Sequence, residues 1–284
     1  METKIKTLIE TYGSNDQRTQ AWHLKRGDML TASEIYKALP DSSEALKHEL
    51  VMSKLLPRPI TNGPGPRALV WGTRFESIAK EIYCLMNGGI EIVDTSCIPH
   101  PTYSFLGASP DGIIVTKDPQ DFRYGKLVEF KCPISRKFTQ DTPIPPAYYH
   151  QMQLQLECTQ LDECEYIEME FKEETYSSWK DSRAQFKSFI AIHEDDIQVK
   201  YKSIEDMREV SVWRQEVLGE EAHKWELLYW TLNNYRNTTV PRDLNWIETN
   251  IVSFRKVWEE VQEYRNKGTF PEHPKDKKTL TLIF

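Results

Sequence analysis

Three side chains near the middle of the sequence have the types and spacing that divalent-metal chemistry requires. Asp111 stands in Ser-Pro-Asp-Gly, and Glu129 and Lys131 flank Phe130 in Leu-Val-Glu-Phe-Lys-Cys. Alternate residues of a strand share a face, so Glu129 and Lys131 point one way and Phe130 points into the core. Gly112 allows a bend beside Asp111, and pairing of the two segments would bring Asp111 to Glu129. Two carboxylates and a backbone carbonyl are the hard oxygen donors that magnesium prefers, and an ammonium beside them can position a water. An acid and a lysine two residues apart also occur as a plain solvated strand face. Here the flanking residues are apolar, which argues for an interior strand, where charges are costly unless paired or metal-bound.

Such a site needs a sheet to hold it. The segment 104–116 and the segment 126–132, separated by the turn-rich run 117–125, read as neighbouring antiparallel strands. Residues 90–98 alternate as a strand, and 164–171 and 187–194 look like further strands. Residues 1–50 read as helical, with Thr31 and Glu34 spaced as a capping box. Residues 57–67 are a Pro- and Gly-rich loop carrying Arg58 and Arg67. The clearest helix runs through Phe75, Ile78, Ala79, Ile82, Tyr83 and Met86 and stops at Gly88 and Gly89. Residues 146–159 are ambiguous, because Gln, Met and Leu alternate with period two while length and composition suit a helix. From residue 203 onward the chain reads as helical and Trp-rich. A β-rich middle flanked by helices predicts an α/β or α+β fold, divided into a domain over 1–202 and a helical C-terminal extension over 203–284 packed on it.

Composition sets limits. The chain has 284 residues, of which 39% are hydrophobic, enough for a sizeable core. No apolar run is long enough to span a membrane, and the N-terminus does not read as a secretory signal. Five cysteines without a Cys-x-x-Cys pair are expected to be reduced thiols of an intracellular protein, in the cytoplasm or in a host nucleus if the protein is viral. The net charge of −7 is unusual for a nucleic-acid binder. A metal site requires carboxylates, however, and only one groove has to be positive. Lys25, Arg26, Arg58, Arg67, Arg74, Arg136 and Lys137 lie near the candidate motifs and could line it.

The Pro-Asp pair at 110–111 and the Glu-x-Lys at 129–131 resemble the PD-(D/E)XK nuclease superfamily. More narrowly, the chain is similar to the phage lambda exonuclease and YqaJ-type viral recombinase family over residues 18–172. The resemblance runs through AWHLKRGDMLTASE at 21–34, WGTRFESIA at 71–79, ASPDGI at 108–113, VEFKCPISRKF at 128–138 and YYHQMQLQL at 148–156, in family order and at similar spacings. It implies a restriction-endonuclease-like core with a central mixed β-sheet flanked by helices. It further implies Mg2+ (Mn2+ substituting) held by Asp111, Glu129, the Phe130 carbonyl and the helix-borne Glu76. Lys131 would orient and help deprotonate the attacking water. Arg26, Ser33, Ser109, Gln151 and Gln153 would hold the 5′-phosphate of a DNA end, although Gln155 makes the glutamine register uncertain and Ser33 could be a simple cap.

The implied function is 5′→3′ exonucleolytic hydrolysis of linear duplex DNA in recombination, repair or viral DNA processing, with a single-strand annealing recombinase as partner and no membrane. Either a ring-shaped homotrimer or a monomer is compatible with it. The competing readings are a structure-specific or restriction-type endonuclease and a catalytically silent DNA-binding recombination factor. Trp213, Trp225, Trp230, Trp246 and Trp258, in the extension, are expected to pack it onto the core, the sharper alternative being base stacking.

Overall fold

The computed structural model describes residues 2–14, 17–56 and 66–274. It opens with helices α1 (Glu2–Tyr12) and α2 (Gln20–Gly27), the latter capped by the Thr19 side chain, which accepts the Trp22 N–H. A short strand β1 (Leu30–Thr31) runs into a 3-10 helix over Ala32–Ala38, where Thr31 and Glu34 form the expected capping box. Helices α3 (Glu44–Leu55) and α4 (Arg67–Met86) follow. In α4 the residues Trp71, Phe75, Ile78, Ala79, Ile82 and Tyr83 form one buried stripe. Gly89 ends the helix at φ 71°, its N–H bonding back to the Cys84 carbonyl at 2.8 Å.

The segment expected as one strand over 90–98 splits into two, β2 (Glu91–Val93) and β3 (Ile98–Pro99), which join different sheets. Next come β4 (Leu106–Ala108), β5 (Gly112–Val115) and β6 (Leu127–Lys131). The ambiguous segment is a helix, α5 (Pro146–Thr159), opened by a proline at its first turn. Its period-two appearance has a physical cause. Leu154 and Cys158 enter one core cluster and Met152 and Leu156 another, so the helix is covered on two sides and its apolar residues need not form a single stripe.

The remaining elements are β7 (Glu163–Glu174), α6 (Tyr176–Asp181), β8 (Lys187–His193), β9 (Val199–Tyr201), α7 (Val210–Trp213), β10 (Trp225–Pro241) and α8 (Trp246–Lys267). The helical reading from residue 203 onward holds for α8 and for short turns over 210–224, and fails for β10. That strand of 17 residues lies between β7 and β8, antiparallel to both. Its local sequence mixes Glu and Leu with Thr, Tyr, Trp and Val. Tertiary pairing decides the outcome, because a strand buried in mid-sheet satisfies its backbone on both edges.

The result is a mixed α/β architecture with a seven-stranded sheet in the order β2-β5-β6-β7-β10-β8-β9, and a separate three-stranded sheet in the order β1-β4-β3. The β6–β7 pairing is parallel and the other pairings of the large sheet are antiparallel. Trp213, Trp225, Trp230 and Trp246 are buried, and Trp258 stacks on Phe105. Trp230 packs edge-on against Phe75 of α4 and Phe171 of β7. These rings serve packing. Among the described residues no helix is long and apolar enough to cross a membrane, and all five cysteines are free thiols.

Candidate active site

The two sheets meet at Ser109-Pro110-Asp111, and each builds one half of the site. In the large sheet Gly112 pairs with Val128, which sets Asp111 level with Glu129 one step beyond. Glycine is required at 112, because a Cβ there would approach the Val93 carbonyl oxygen to 2.9 Å. The Asp111 Oδ2 accepts the Phe130 N–H at 2.7 Å, fixing the carboxylate against the neighbouring strand. Phe130 sends its ring to the opposite face, edge-on to Tyr83.

Glu129 is almost wholly buried and is held from three sides. Its Oε1 accepts from the Lys131 ammonium and from Gln151 Nε2 at 2.6 Å, and its Oε2 accepts from Gln155 Nε2 at 2.6 Å. Gln151 and Gln155 are one helical turn apart on α5, so both amides reach the same carboxylate. Lys131 also lies 4.6 Å above the Tyr148 ring. Burial would push the Lys131 ammonium down, but the Glu129 and Asp111 carboxylates outweigh it and hold the group above the ordinary lysine value. Burial, reinforced by the Glu129 and Glu76 charges, holds the Asp111 carboxyl well above the usual carboxylate range.

Glu76, on α4, lines a cleft of about 530 Å³ together with Arg18, Lys131, Arg136 and Tyr148, and its charge acts on Asp111. Its Oε2 is paired with Arg18 Nη2 at 2.6 Å. Arg18 was not anticipated from the sequence, for it sits in a turn without periodicity. Also unanticipated is the fully buried Glu168 on β7, level with Lys131, which binds both Arg136 and Arg236 of β10.

The small sheet builds the second half. The parallel pairs Leu30 with Leu106 and Thr31 with Gly107 bring Ser33 and Ser109 side by side just past the strand ends. Arg26, buried at the end of α2, donates to Ser33 Oγ at 2.9 Å, Thr31 Oγ1 at 3.1 Å and Ser109 Oγ at 3.4 Å. Its guanidinium lies over the Trp22 ring, whose Nε1 donates to Ser109 Oγ at 3.0 Å. Arg26, Ser33 and Ser109 are thus brought together. Gln151 belongs with the carboxylates, and Gln153 reaches neither group. Gln153 Nε2 donates to the Pro241 carbonyl, and its Oε1 accepts the Asp243 N–H. Gln155, in the next register, is the glutamine that reaches Glu129.

The oxygen donors suit a hard divalent cation. Asp111 and Glu129 repel one another in a desolvated site, and a cation between them would relieve what burial imposes on Asp111. Asp111, Glu129 and the Phe130 carbonyl would hold it. Among the described residues no three acidic, His or Cys side chains converge tightly enough to ligate one ion, and Glu76 is engaged with Arg18. The expected basic lining is partly spent on internal acceptors. Lys25 donates to the Cys97 carbonyl, Arg74 pairs with Asp196, and Arg136 and Lys137 pair with Glu168 and Glu170. Arg67 lines a neighbouring pocket with Arg74. Arg58 lies outside the described residues.

Residues 21–162 match the model of the YqaJ-like viral recombinase domain, half of the chain. The chain belongs to that family. An uncharacterized protein of Acanthamoeba polyphaga mimivirus is 30% identical over 184 residues, which are 61% of this chain and 32% of that protein. The chain therefore spans about a third of the length of that relative. Among solved structures, the alkaline exonuclease LHK-Exo of Laribacter hongkongensis superposes with a TM-score of 0.52 at 20% identity, covering 88% of this chain and 98% of that one. Its complex with dAMP gives 0.50 over the same shares. These likenesses show the fold, and the residues matched by the family model include both Ser109–Asp111 and Glu129–Lys131 at the junction of the two sheets.

Proposed function

We propose that this YqaJ-family protein is a Mg2+-dependent exonuclease that trims linear duplex DNA from a phosphorylated 5′ end. The observation that carries the reading is the junction itself. Ser109 completes an arginine–hydroxyl cluster built on the buried Arg26, and Asp111, two residues on, completes a carboxylate–lysine cluster. A group whose chemistry suits an anion thus stands two residues along the chain from one whose chemistry suits a cation, which supports end-anchored phosphodiester hydrolysis.

In this reading Asp111, Glu129 and the Phe130 carbonyl hold Mg2+, which Mn2+ can replace, with Glu76 as a further acidic group. When bound, the cation supplies Lewis-acid activation of water and neutralises charge on the attacked phosphate. Gln151 and Gln155 fix the Glu129 carboxylate so that it need not reorganise during reaction. Lys131, kept charged by its carboxylate neighbours, orients the water and stabilises negative charge developing on the phosphate. This makes it a fixed donor first, and a route for the water's proton only second. Arg26, Ser33 and Ser109 seat the terminal 5′-phosphate, where a planar guanidinium offers two parallel donors. The 3′-ended single strand left behind is what a single-strand annealing protein would receive.

The test is incubation with Mg2+ and three substrates: linear duplex with a 5′-phosphate, linear duplex with a 5′-hydroxyl, and closed circular duplex. Digestion of linear DNA alone, faster with the phosphate, is the expected result. Cutting of the circle would replace this reading by an endonuclease. Binding without cleavage under Mg2+ and Mn2+ would leave a DNA-binding recombination factor.

A further inference from the structure

Arg18, the partner of Glu76, has no role in the scheme above, yet three features fix it near the site. Gln17, next to Arg18, donates through Nε2 to the Pro110 carbonyl at 3.0 Å and to the Thr95 carbonyl at 2.8 Å, tying this turn to the peptide that carries Asp111. Thr19, on the other side, caps the helix that carries Arg26. Arg18 itself adopts a φ of 72°, a region that non-glycine residues rarely occupy and that concentrates at functional sites. The chain therefore accepts an unfavourable backbone conformation at the residue whose guanidinium pairs with Glu76 in the cleft that Lys131 also lines.

The guanidinium pairs with Glu76, the acidic side chain among the described residues that line the cleft. Both partners are partly solvated, with 51% and 33% of their side-chain surface exposed, so the pair is weak and readily exchanged. Glu76 is near enough for its charge to act on Asp111, so a divalent cation held by Asp111 and Glu129 would offer Glu76 a second, doubly charged partner.

We propose that Arg18 and the divalent cation compete for Glu76, so that cation binding frees Arg18 to take a phosphate of the substrate backbone in the cleft that it lines with Lys131. The inference rests on the metal-site reading above. It adds a residue, and it couples two events: the cleft gains a free phosphate donor only when its cation is in place. Without the cation, Glu76 and Arg18 neutralise each other.

Calorimetric titration with Mn2+ alone tests the competition without any turnover. Wild type, Arg18→Gln, Glu76→Gln and the double variant form a cycle. Arg18→Gln is expected to tighten Mn2+ by about two- to fivefold, the range that exposed ion pairs span, and to have no such effect in the Glu76→Gln background. Tightening of equal size in both backgrounds would mean that Arg18 acts only as a nearby positive charge, and unchanged or weaker binding would mean no competition; either overturns the proposal. Absence of Mn2+ binding in wild type would overturn the metal-site reading itself, and this inference with it.

The released donor is read separately, from the salt dependence of duplex binding. With Ca2+ present, the slope of log K against log salt should be shallower for Arg18→Gln than for wild type by about 0.9, one phosphate contact. With EDTA the two slopes should coincide. A difference that is the same with and without the cation, or none at all, would contradict the coupling.

Discussion

Lys131→Ala is expected to fold and to lose about two to four orders of magnitude in DNA hydrolysis, the range over which a single positioned proton-handling or charge-stabilising side chain contributes. Folding should survive because Glu129 is not left bare. Its two oxygens keep the Gln151 and Gln155 amides as donors. Lys131 itself is partly open to the cleft, with 21% of its side chain exposed, so the loss is softened by water. What disappears is an ammonium on which both carboxylates act. Circular dichroism and a gel-based or fluorescent nuclease assay on the same preparation separate the two effects. A folded variant within tenfold of wild type would remove Lys131 from the chemistry.

Arg26→Gln is expected to act differently, by erasing the preference for a 5′-phosphorylated end. Hydrogen bonds to charged groups contribute about 1.5–3 kcal/mol, so losing the guanidinium should cost roughly 10- to 100-fold on phosphorylated duplex. Duplex with a 5′-hydroxyl, which does not use that charge, should be digested at close to the wild-type rate. Ser33, Thr31 and Ser109 would lose a shared donor, but Ser33 and Ser109 border a partly open site where water can replace it. The decisive quantity is the ratio of kcat/KM on the two ends. An unchanged ratio would show that Arg26 is a structural arginine serving only the turn it sits on.

Much of this site was legible in the sequence because local rules and tertiary structure agreed there. Strand alternation around Phe130 set Glu129 and Lys131 on one face, a bend at Gly112 allowed Asp111 to meet them if the two segments paired, and the structure pairs Gly112 with Val128. Thr31 and Glu34 announced the start of the turn that carries Ser33. The rest failed where tertiary context overrules local pattern. In α5 the alternation of Gln, Met and Leu hid a helix covered on two sides, and with it the one-turn spacing that sends Gln151 and Gln155, and not Gln153, to the site. In β10 a mixed local preference is settled by two neighbouring strands far away in sequence, so Arg236 and its contact with Glu168 were invisible. Arg18 lies in a turn and has no period to read.

The basic lining shows the same limit. Charge counted along the sequence suggested a row of available cations, whereas Arg74, Arg136 and Lys137 each answer an acid in the fold. Arg136 alone of these three also lines the cleft with Lys131 and Glu76.

The central claim is that Asp111 and Glu129 are set together to hold one divalent ion. Titrating wild type and Asp111→Asn with Mn2+ by calorimetry tests it directly. The account predicts binding to wild type and a loss of at least tenfold in the variant, since even residues one step behind a metal ligand commonly cost 10- to 100-fold. Equal affinity in the two proteins would contradict it.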